Sequence, residues 1–239
     1  MNLAVVVAAY NEQENIEALT RRLVAVLRGM HGCNPELIYV VEGDDGTKEI
    51  VERLSVEFPA VRLLYQTDPT GLANAFRRGF ATVSLETDFV VTMDADLNHQ
   101  PEEIPRLLAR AVATRADIIV GSRFVRGARV DGVPVWKIAV SRLVNRAIGL
   151  LFGLRIQDKT SGFRVYRSEA LRAVEFTNSG FAFLPEILID ATASGLEIVE
   201  EPIHFVYRIR GTSKMNLWKT SGSYLAMLRR RLRAKSARR

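Results

Sequence analysis

The chain has 239 residues, 48% hydrophobic and 25% charged, which is typical of an ordinary folded protein with a substantial core. Its one cysteine, Cys33, excludes an internal disulfide and a cysteine-rich zinc site. The formal net charge is +6, but the terminal segment 229–239 carries six arginines and one lysine, so the rest is close to neutral. That basic tail indicates an anionic surface, unless it is only a solvated terminus. The body lacks the basic, aromatic pattern of a nucleic-acid-binding module, so we expect no nucleic-acid partner.

No secretory signal and no membrane-spanning helix is predicted. The N-terminal run NLAVVVAAY has no basic residue before it and is too short to span a bilayer. No uncharged apolar stretch reaches the roughly 18–20 residues of a membrane helix. We therefore expect a cytoplasmic protein, whose membrane contact, if any, is peripheral and on the cytoplasmic face.

The first half of the chain alternates between continuous apolar strands and amphipathic helices. In the first helix, Ile16, Leu19, Leu23 and Leu27 share one face. This alternation predicts an α/β fold in which a mostly parallel sheet is covered by helices on both faces. The predicted elements are strand 3–9, helix 11–30, strand 36–42, helix 45–58, strand 61–66, helix 71–83, strand 87–96, helix 101–113 and strand 116–123.

The second half is less regular, and no linker separates it from the first, so we predict a single domain over residues 1–239. The helical pattern near its start indicates one helix, or two helices broken near Gly149. The predicted elements are helix 134–154, a turn and short helix over 158–171, helix 182–195, strand or extended chain over 196–211, and a closing helix over 216–233.

Polar segments follow the strands, where ligands bind in an open parallel sheet. These segments are AYNE (9–12), EGDDGT (42–47), DAD (94–96) and GSR (121–123). Three of them are acidic and would repel nucleotide phosphates unless a divalent cation lay between. Asp94 and Asp96, one residue apart at the end of a buried strand, therefore predict an Mg²⁺ or Mn²⁺ site that holds a nucleotide-sugar diphosphate. The alternative is a helix N-cap with a solvated neighbour.

Seven segments, in the same order, carry a resemblance to a known family. They are AAYNEQENI, DGT, GLANAFRRGF, VTMDADLNHQPEEIPRLL, IIVGSRF, DKTSGFRVYRSEAL and EEPIHFVYRIRGTSKM, and they cover roughly residues 3–216. In these motifs the chain resembles the inverting glycosyltransferases of family 2, and within them the dolichyl- or polyprenyl-phosphate sugar synthases.

The resemblance implies a GT-A fold, a Rossmann-like α/β arrangement with acceptor-side helices toward the C-terminus. Residues 1–123 would form the nucleotide-sugar-binding half, 124–216 the acceptor-side half, and 217–239 the closing helix and basic tail. The implied reaction is metal-dependent, inverting transfer of a hexose, with mannose as the first choice, to polyprenyl or dolichyl phosphate. The donor would be a nucleoside-diphosphate sugar such as GDP-mannose or a UDP-sugar.

The resemblance also implies roles for individual residues. Asp94, Asp96 and Asn98 would ligate Mg²⁺ or Mn²⁺, with Asn98 where the family often has glutamine. Arg123 would lie near the reacting phosphates and share the catalytic role of the two aspartates. Ala8, Tyr10, Asn11, Glu12 and Glu42 would line the nucleotide pocket, Arg208 and Lys214 would close over the phosphates, and Ser141 with Lys137 and Arg142 would face the lipid phosphate.

Two positions depart from the family pattern. Ala8 stands where the family usually has proline, and Glu42 replaces the leading aspartate of a second-strand motif that is shorter here. Because that loop helps to select base and ribose, the identity of the nucleotide stays open. Glu42 can still accept hydrogen bonds from a base or ribose. His99 lies near the site, and we assign it at most a supporting role.

The acceptor side leaves alternatives open. The helix over 134–154 is either an interfacial helix, with Trp136 and basic residues at head-group level, or an ordinary core helix. A lipid acceptor requires a membrane surface or a membrane-anchored partner protein. The main alternative function is a family 2 glycosyltransferase with a soluble small-molecule or nucleoside acceptor. A sugar-nucleotide pyrophosphorylase is disfavoured because AAYNEQEN is not a glycine-rich loop with arginine and lysine.

Overall fold

The computed structural model describes residues 1–178 and 180–207. A seven-stranded sheet with strand order β3-β2-β1-β4-β7-β5-β8 forms the centre, and β6 and β9 form a separate two-stranded sheet. The strands are β1 (Asn2–Tyr10), β2 (Asn34–Glu42), β3 (Val61–Gln66), β4 (Phe89–Asp94), β5 (Ile118–Ser122), β6 (Arg129–Asp131), β7 (Arg164–Arg167), β8 (Ile198–Pro202) and β9 (His204–Val206). The helices are α1 (Ile16–Arg28), α2 (Thr47–Glu57), α3 (Leu72–Ala81), α4 (Ile104–Thr114), α5 (Val135–Phe152), α6 (Ser168–Ala173) and α7 (Phe183–Ala193), with a 3-10 turn at Pro101–Glu103.

The sheet is buried on both faces, as the continuous apolar strands predict. Alternate residues of β1 enter different cores, Val5 and Val7 on one side and Ala4 and Val6 on the other. Helices α1, α2 and α4 cover the first face, and α3 and α7 cover the second. The predicted α/β class, with helices on both faces of a mostly parallel sheet, is confirmed.

The turn and the short helix predicted over 158–171 are present, the helix as α6, but the prediction missed a strand between them. This strand is β7, which lies between β4 and β5 and runs antiparallel to both. The strand has only four residues, Arg164–Arg167, and begins with an arginine that is completely buried. A short strand with charged ends gives little periodicity, which explains why the sequence pattern missed it.

Other boundaries in the second half also differ from prediction. The extended region after residue 196 is two strands in different sheets, β8 and β9, while β6 was not predicted. Helix α5 runs unbroken through Gly149. A Cβ at Gly149 would lie 3.0 Å from the Leu154 carbonyl oxygen and 3.1 Å from Lys159 Nζ, so glycine there permits close packing and does not break the helix.

This topology brings several loops to one edge of the sheet. The parallel strands β1, β2, β4 and β5 all end there. Because β7 is antiparallel, the segment that precedes it, 157–163, arrives at the same edge. Strand β9 lies beside this edge, with a bridge between His99 and Phe205. Within residues 1–178 and 180–207, none of the helices combines the length and apolarity needed to cross a membrane.

Candidate active site at the carboxyl ends of the strands

The two aspartates of the DAD segment lie at the end of β4 in a tight turn. Asp94 is the register partner of Ala8, so both lie at the same edge. The buried Asp96 carboxylate accepts hydrogen bonds from the Asn98 backbone N–H (3.2 Å) and from Asn98 Nδ2 (2.8 Å). Leu97, between them, has a φ of 62°, a left-handed conformation that a leucine seldom adopts. The turn is therefore held in shape by hydrogen bonds that offset its backbone strain.

The donor atoms of this turn fit a divalent cation. Asn98 Oδ1 is buried and has no hydrogen-bond partner within the described residues, at a cost of about 1–3 kcal/mol. The described residues contain no group of three or more histidine, cysteine, aspartate or glutamate side chains that could hold a metal ion. A cation at this turn would therefore have only two carboxylates and one amide oxygen as protein ligands. Two carboxylates and one amide oxygen fit the way Mg²⁺ binds, with few protein ligands and the remainder from substrate phosphates and water.

The loop after β1 packs tightly against the loop after β2. Asn11 has a φ of 53°, and its Oδ1 accepts a hydrogen bond from the Asp44 backbone N–H (3.1 Å). A Cβ at Gly43 would lie 1.9 Å from Asn11 Oδ1, so only glycine fits at that position. Tyr10 is 43% exposed beside this contact. The two loops thus form one surface that a nucleotide could contact.

Further hydrogen bonds fix the same two loops. The backbone N–H of the buried Glu12 donates to Thr47 Oγ1 (2.8 Å), and its carboxylate accepts from Asn15 Nδ2 (2.8 Å). Asp45 accepts from the backbone N–H groups of Gln13 and Thr47, each at 3.1 Å. The DDGT residues therefore hold the loop between β1 and α1 in place, which the sequence motif alone did not show.

Glu42 has a structural contact that the sequence did not predict. It is buried, and its carboxylate accepts hydrogen bonds from Thr70 N–H (3.0 Å), Thr70 Oγ1 (2.5 Å) and Gly71 N–H (3.2 Å). Glu42 thereby supports the turn that precedes α3. Its contact with a base or ribose stays a prediction.

Arg123 lies at the end of β5 and pairs with a residue that sequence reasoning missed, Asp158. The two form a bidentate ion pair, with Nε to Oδ2 and Nη2 to Oδ1 both at 2.7 Å, and Nη2 also donates to Thr160 Oγ1 (2.9 Å). Burial would raise the pKa of Asp158, but the Arg123 guanidinium outweighs it, so this pKa lies below its ordinary value. The guanidinium also stacks on the rings of Phe124 and Phe205.

The segment before β7 is itself anchored from two sides. Glu200 of β8 accepts hydrogen bonds from the backbone N–H groups of Gln157 (2.7 Å) and Asp158 (2.8 Å). At Gly162, a Cβ would lie 3.3 Å from Asp94 Oδ1, so this glycine lets the segment approach the DAD turn. The sequence contained one signal for the ion pair between Arg123 and Asp158. Arg123 needed an anionic partner, and the DKTSG segment contains an aspartate.

His99 is buried at the base of the site. Its ring stacks on Phe163, and its Nδ1 accepts a hydrogen bond from the Asp94 backbone N–H (3.3 Å). Burial lowers the pKa of His99 to about 4, so the imidazole is neutral at pH 7 and its 3.7 Å contact with the Asp94 carboxylate is not an ion pair. His99 therefore supports the turn that carries Asp94 and Asp96.

The predicted acceptor-side residues lie on α5. The Lys137 ammonium contacts the Tyr207 hydroxyl and lies 4.9 Å from the centre of the Tyr207 ring, and Ser141 is half-buried. The Arg142 guanidinium is 5.5 Å from the centre of the Phe124 ring, on which Arg123 also stacks. The structure thus brings Arg123 and Arg142 to one aromatic ring. Arg208 and Lys214 lie outside the described residues.

The sequence profile of Glycosyl transferase family 2 matches residues 4–174, well over half of the chain. The chain belongs to glycosyltransferase family 2. The predicted resemblance and the predicted enzyme class are thereby confirmed.

Curated relatives within glycosyltransferase family 2 are similar over most of this chain. A dolichol-phosphate mannosyltransferase of Pyrococcus furiosus is 39% identical over 94% of this chain, which spans only 62% of that relative. A polyprenol monophosphomannose synthase of Mycolicibacterium smegmatis is 34% identical over 89% of this chain and 80% of its own length. An undecaprenyl-phosphate mannosyltransferase of Micrococcus luteus is 35% identical over 90% of this chain and 88% of its own length.

Solved structures share the fold at lower identity. A glucosyl-3-phosphoglycerate synthase of Mycobacterium tuberculosis in complex with UDP has a TM-score of 0.67 and 23% identity, over 95% of this chain and 78% of that one. The same enzyme with Mn²⁺, UDP and glucosyl-3-phosphoglycerate has a TM-score of 0.66 and 22% identity, over 93% and 76%. These likenesses confirm the predicted GT-A-like fold.

Proposed function

We propose that this family 2 enzyme transfers a hexose, namely mannose, from a nucleoside-diphosphate sugar to a polyprenyl phosphate, with inversion at the anomeric carbon. The observation that carries the proposal is the group of relatives at 34–39% identity, each named for mannose transfer to dolichol phosphate, polyprenol or undecaprenyl phosphate. Their similarity covers about nine tenths of this chain.

The donor would bind across the linked loops after β1 and β2. Ala8 and Tyr10 lie at the end of β1, Asn11 and Glu12 follow it, and Glu42 supports the turn before α3. Asp94, Asp96 and Asn98 would hold Mg²⁺ or Mn²⁺. When bound, such an ion neutralises the charge that develops on the leaving diphosphate. The identity of the base, guanine or uracil, is left to the donor assay.

The acceptor needs little activation by the protein. A polyprenyl phosphate is already an anion near neutral pH, so one of its oxygens can attack the anomeric carbon directly. The new C–O bond forms as the bond to the diphosphate breaks, and its electron pair leaves with the nucleoside diphosphate. The neutral His99 fits this scheme, because its Nδ1 faces a backbone N–H and not the reacting groups.

The acceptor phosphate and the donor diphosphate are both anions and must approach each other in this reaction. Basic side chains lower the electrostatic cost of that approach. Arg123 lies at the edge of the site in a fixed orientation, since Asp158 and Thr160 hold its guanidinium. Arg142 shares the Phe124 ring with it, and Lys137 and Ser141 lie on the same helix. We assign these four residues to the acceptor phosphate.

The test is a panel of nucleotide sugars, including GDP-mannose, UDP-glucose and other UDP-sugars, each with a polyprenyl phosphate and Mg²⁺ or Mn²⁺. We expect a lipid-linked hexose from GDP-mannose. Parallel reactions with soluble acceptors, such as small phosphorylated metabolites and nucleosides, test the alternative. Transfer to a soluble acceptor without transfer to the lipid would overturn the proposal. A lipid acceptor also places the enzyme at the cytoplasmic face of a membrane, held peripherally or by a membrane-anchored partner.

A further inference from the structure

A cavity of about 380 Å³ lies at the edge of the sheet opposite the candidate active site. Its walls come from the C-terminal end of α3, from α6 and from the segment 174–177, and we call it the α3–α6 cavity. Arg167, directly before α6, is the register partner of Phe89, the first residue of β4, whereas Asp94 is the last. The cavity and the aspartate turn therefore lie at opposite ends of β4. None of the described residues that line the cavity belongs to the candidate active site.

The buried and half-buried side chains that line the α3–α6 cavity are mostly apolar. They are Phe80, Val83, Leu171, Val174 and Phe176. Sites for small molecules commonly have volumes of roughly 300–1,000 Å³ and an apolar lining with a few polar groups among it. The volume and the lining therefore fit a small molecule with an apolar body.

The walls of the cavity are held by contacts that need no ligand. The Phe176 ring packs edge-on against the Phe80 ring, with 6.3 Å between the ring centres. The buried carboxylate of Glu186 accepts hydrogen bonds from the backbone N–H groups of Thr177 (3.1 Å) and Asn178 (3.0 Å). The segment 174–177 is thereby anchored to α7. The cavity is part of the folded structure, as ligand sites usually are.

Two arginines of the lining are oriented by neutral groups. The Arg77 guanidinium lies 4.7 Å from the centre of the Phe176 ring, and its Nη2 donates to the Phe176 carbonyl oxygen (3.0 Å). Its Nη1 donates to Asn74 Oδ1. Arg172 Nη1 donates to Ser168 Oγ (2.8 Å). A guanidinium has more N–H donors than these bonds use, so both arginines have donors left for a ligand.

The charges of the lining favour an anionic ligand. Its charged side chains are Arg77, Arg172 and Glu175, so the α3–α6 cavity carries a net positive charge. Among the residues that the structure describes, none of these three forms an ion pair. An oxyanion could therefore bind to the arginines without breaking an ion pair, through the charge-assisted hydrogen bonds that guanidinium groups form with phosphate and carboxylate.

We propose that the α3–α6 cavity is a second ligand site, which binds a small molecule that joins an apolar ring to a phosphate or carboxylate group. Arg77 and Arg172 bind the oxyanion. The ring lies against Phe80, Leu171 and Phe176, where it is removed from water. The site is separate from the donor and acceptor sites, so the inference does not depend on the proposed function.

The experiment titrates the full chain calorimetrically with benzyl phosphate and with phenylacetate, and the tighter of the two identifies the oxyanion. The test variant is R77Q/R172Q. We expect it to bind at least about tenfold more weakly than the native chain, the effect of losing one hydrogen bond to a charged group. The matched control is R28Q/R115Q, because both arginines are exposed on other elements and Arg28 likewise lies 5.3 Å from a phenylalanine ring, that of Phe58. The control should bind as the native chain does.

A second variant tests the volume of the cavity and keeps both arginines. Ala81 is an exposed residue of the lining, so A81F would fill part of the cavity without disturbing the core. We expect A81F also to bind benzyl phosphate at least about tenfold more weakly, with an unfolding temperature close to that of the native chain. Unchanged binding by both R77Q/R172Q and A81F would place the ligand elsewhere, such as the phosphate-binding edge of the active site, and would overturn the proposal.

Two further titrations separate the contributions of the ring and the oxyanion. Inorganic phosphate carries the charge without the ring, and benzyl alcohol carries the ring without the charge. We expect each to bind at least about tenfold more weakly than benzyl phosphate. Equal binding of inorganic phosphate and benzyl phosphate would overturn the proposed ring subsite, and equal binding of benzyl alcohol would overturn the role of the arginines.

Activity separates this inference from the proposed function. Sugar transfer by R77Q/R172Q should equal that of the native chain when no cavity ligand is added, because neither arginine lies at the carboxyl edge of the sheet. Failure of every ligand to bind would overturn the second site and leave the reaction standing. Absence of transfer in the native chain would instead overturn the proposed function and leave the ligand titrations unaffected.

Discussion

At the scale of single residues, the carboxylate and amide side chains of the site form hydrogen bonds with one another. Asp96 accepts two hydrogen bonds from Asn98, while Asn98 Oδ1 stays buried without a partner in the described residues. An acceptor left in that state is stabilised when a cation binds. Binding of a divalent ion would therefore satisfy an acceptor atom that the hydrogen bonds of the turn leave unpaired.

Replacement of Asp96 by alanine should strongly lower transfer activity and leave the fold intact. We expect the rate to fall by roughly 100- to 1000-fold, the usual effect of losing one electrostatic contact to a transition state. Initial rates with Mg²⁺ or Mn²⁺, and thermal unfolding, provide the measurement, with the exposed Asp68→Ala as the control. Full activity of the native chain in excess chelator would contradict the metal assignment.

Asp158 orients Arg123, and its replacement by asparagine should weaken both stability and catalysis. Removing one partner of a buried ion pair costs about 3 kcal/mol in the free energy of unfolding. Transfer efficiency should fall as well, because the guanidinium loses its fixed orientation. Denaturant unfolding and steady-state rates are compared with Asp68→Asn, an exposed site that should change neither.

The ion pair between Arg123 and Asp158 also predicts that the stability of the protein depends on pH. The pKa of Asp158 is lower in the folded protein than in the unfolded chain, where it is about 3.9. The pair therefore stabilises the protein fully above about pH 4, and this contribution is lost as the pH falls through the folded pKa. The stability of the native chain and of D158N should converge in acid. A difference between them that is constant from pH 7 to below pH 3 would contradict the ion pair.

At the scale of elements, α5 and the segment before β7 act together. Asn145 is the link, since it contacts the Lys159 backbone and Thr160 from within the helix. Arg164, completely buried, fixes the other end of that segment by donating to the carbonyl oxygens of Lys159, Ser161 and Leu184. The antiparallel strand β7 therefore places polar groups at an edge otherwise formed by parallel strands.

Replacement of the buried Asn145 by alanine should destabilise the protein. It leaves buried polar groups unpaired, at about 1–3 kcal/mol in the free energy of unfolding. The exposed neighbour Arg146→Ala is the control and should change stability by less than about 0.5 kcal/mol. Equal unfolding midpoints for the two variants would show that the link between α5 and the 157–163 segment contributes nothing.

At the scale of the whole molecule, the sequence predicted the first half well and the second half poorly. Strands β1 to β5 and their helices were predicted because continuous apolar runs and helical periodicity are strong signals. The sequence prediction placed the DAD, AYNE and GSR segments at the carboxyl edge of the sheet, because the carboxyl ends of parallel strands lie at one edge. The structure has them there. Asp158 was missed because its partner lies 35 residues away and β7 reverses direction. Contacts between distant segments leave no periodicity in the chain.

The basic tail gives a prediction at the same scale. Residues 229–239 lie outside the described residues, and the prediction depends on their seven positive charges alone. Each basic residue near an anionic leaflet contributes about 1 kcal/mol, and salt screens that attraction. Replacing the seven basic residues by glutamine should weaken binding to anionic vesicles at low salt and have little effect at high salt. Co-sedimentation at both salt concentrations is the measurement, and equal binding at low salt would show that the tail does not contact the membrane.

The configuration of the sugar in the lipid-linked product tests the proposed reaction most directly. Purified chain, GDP-mannose, Mg²⁺ or Mn²⁺ and a polyprenyl phosphate are incubated, and the anomeric carbon of the product is assigned by nuclear magnetic resonance. We predict a mannosyl phosphate whose anomeric configuration is inverted relative to the donor, formed by the native chain and formed roughly 100- to 1000-fold more slowly by Asp96→Ala. A product with retained configuration, or no lipid-linked sugar from any donor, would contradict direct attack by the lipid phosphate.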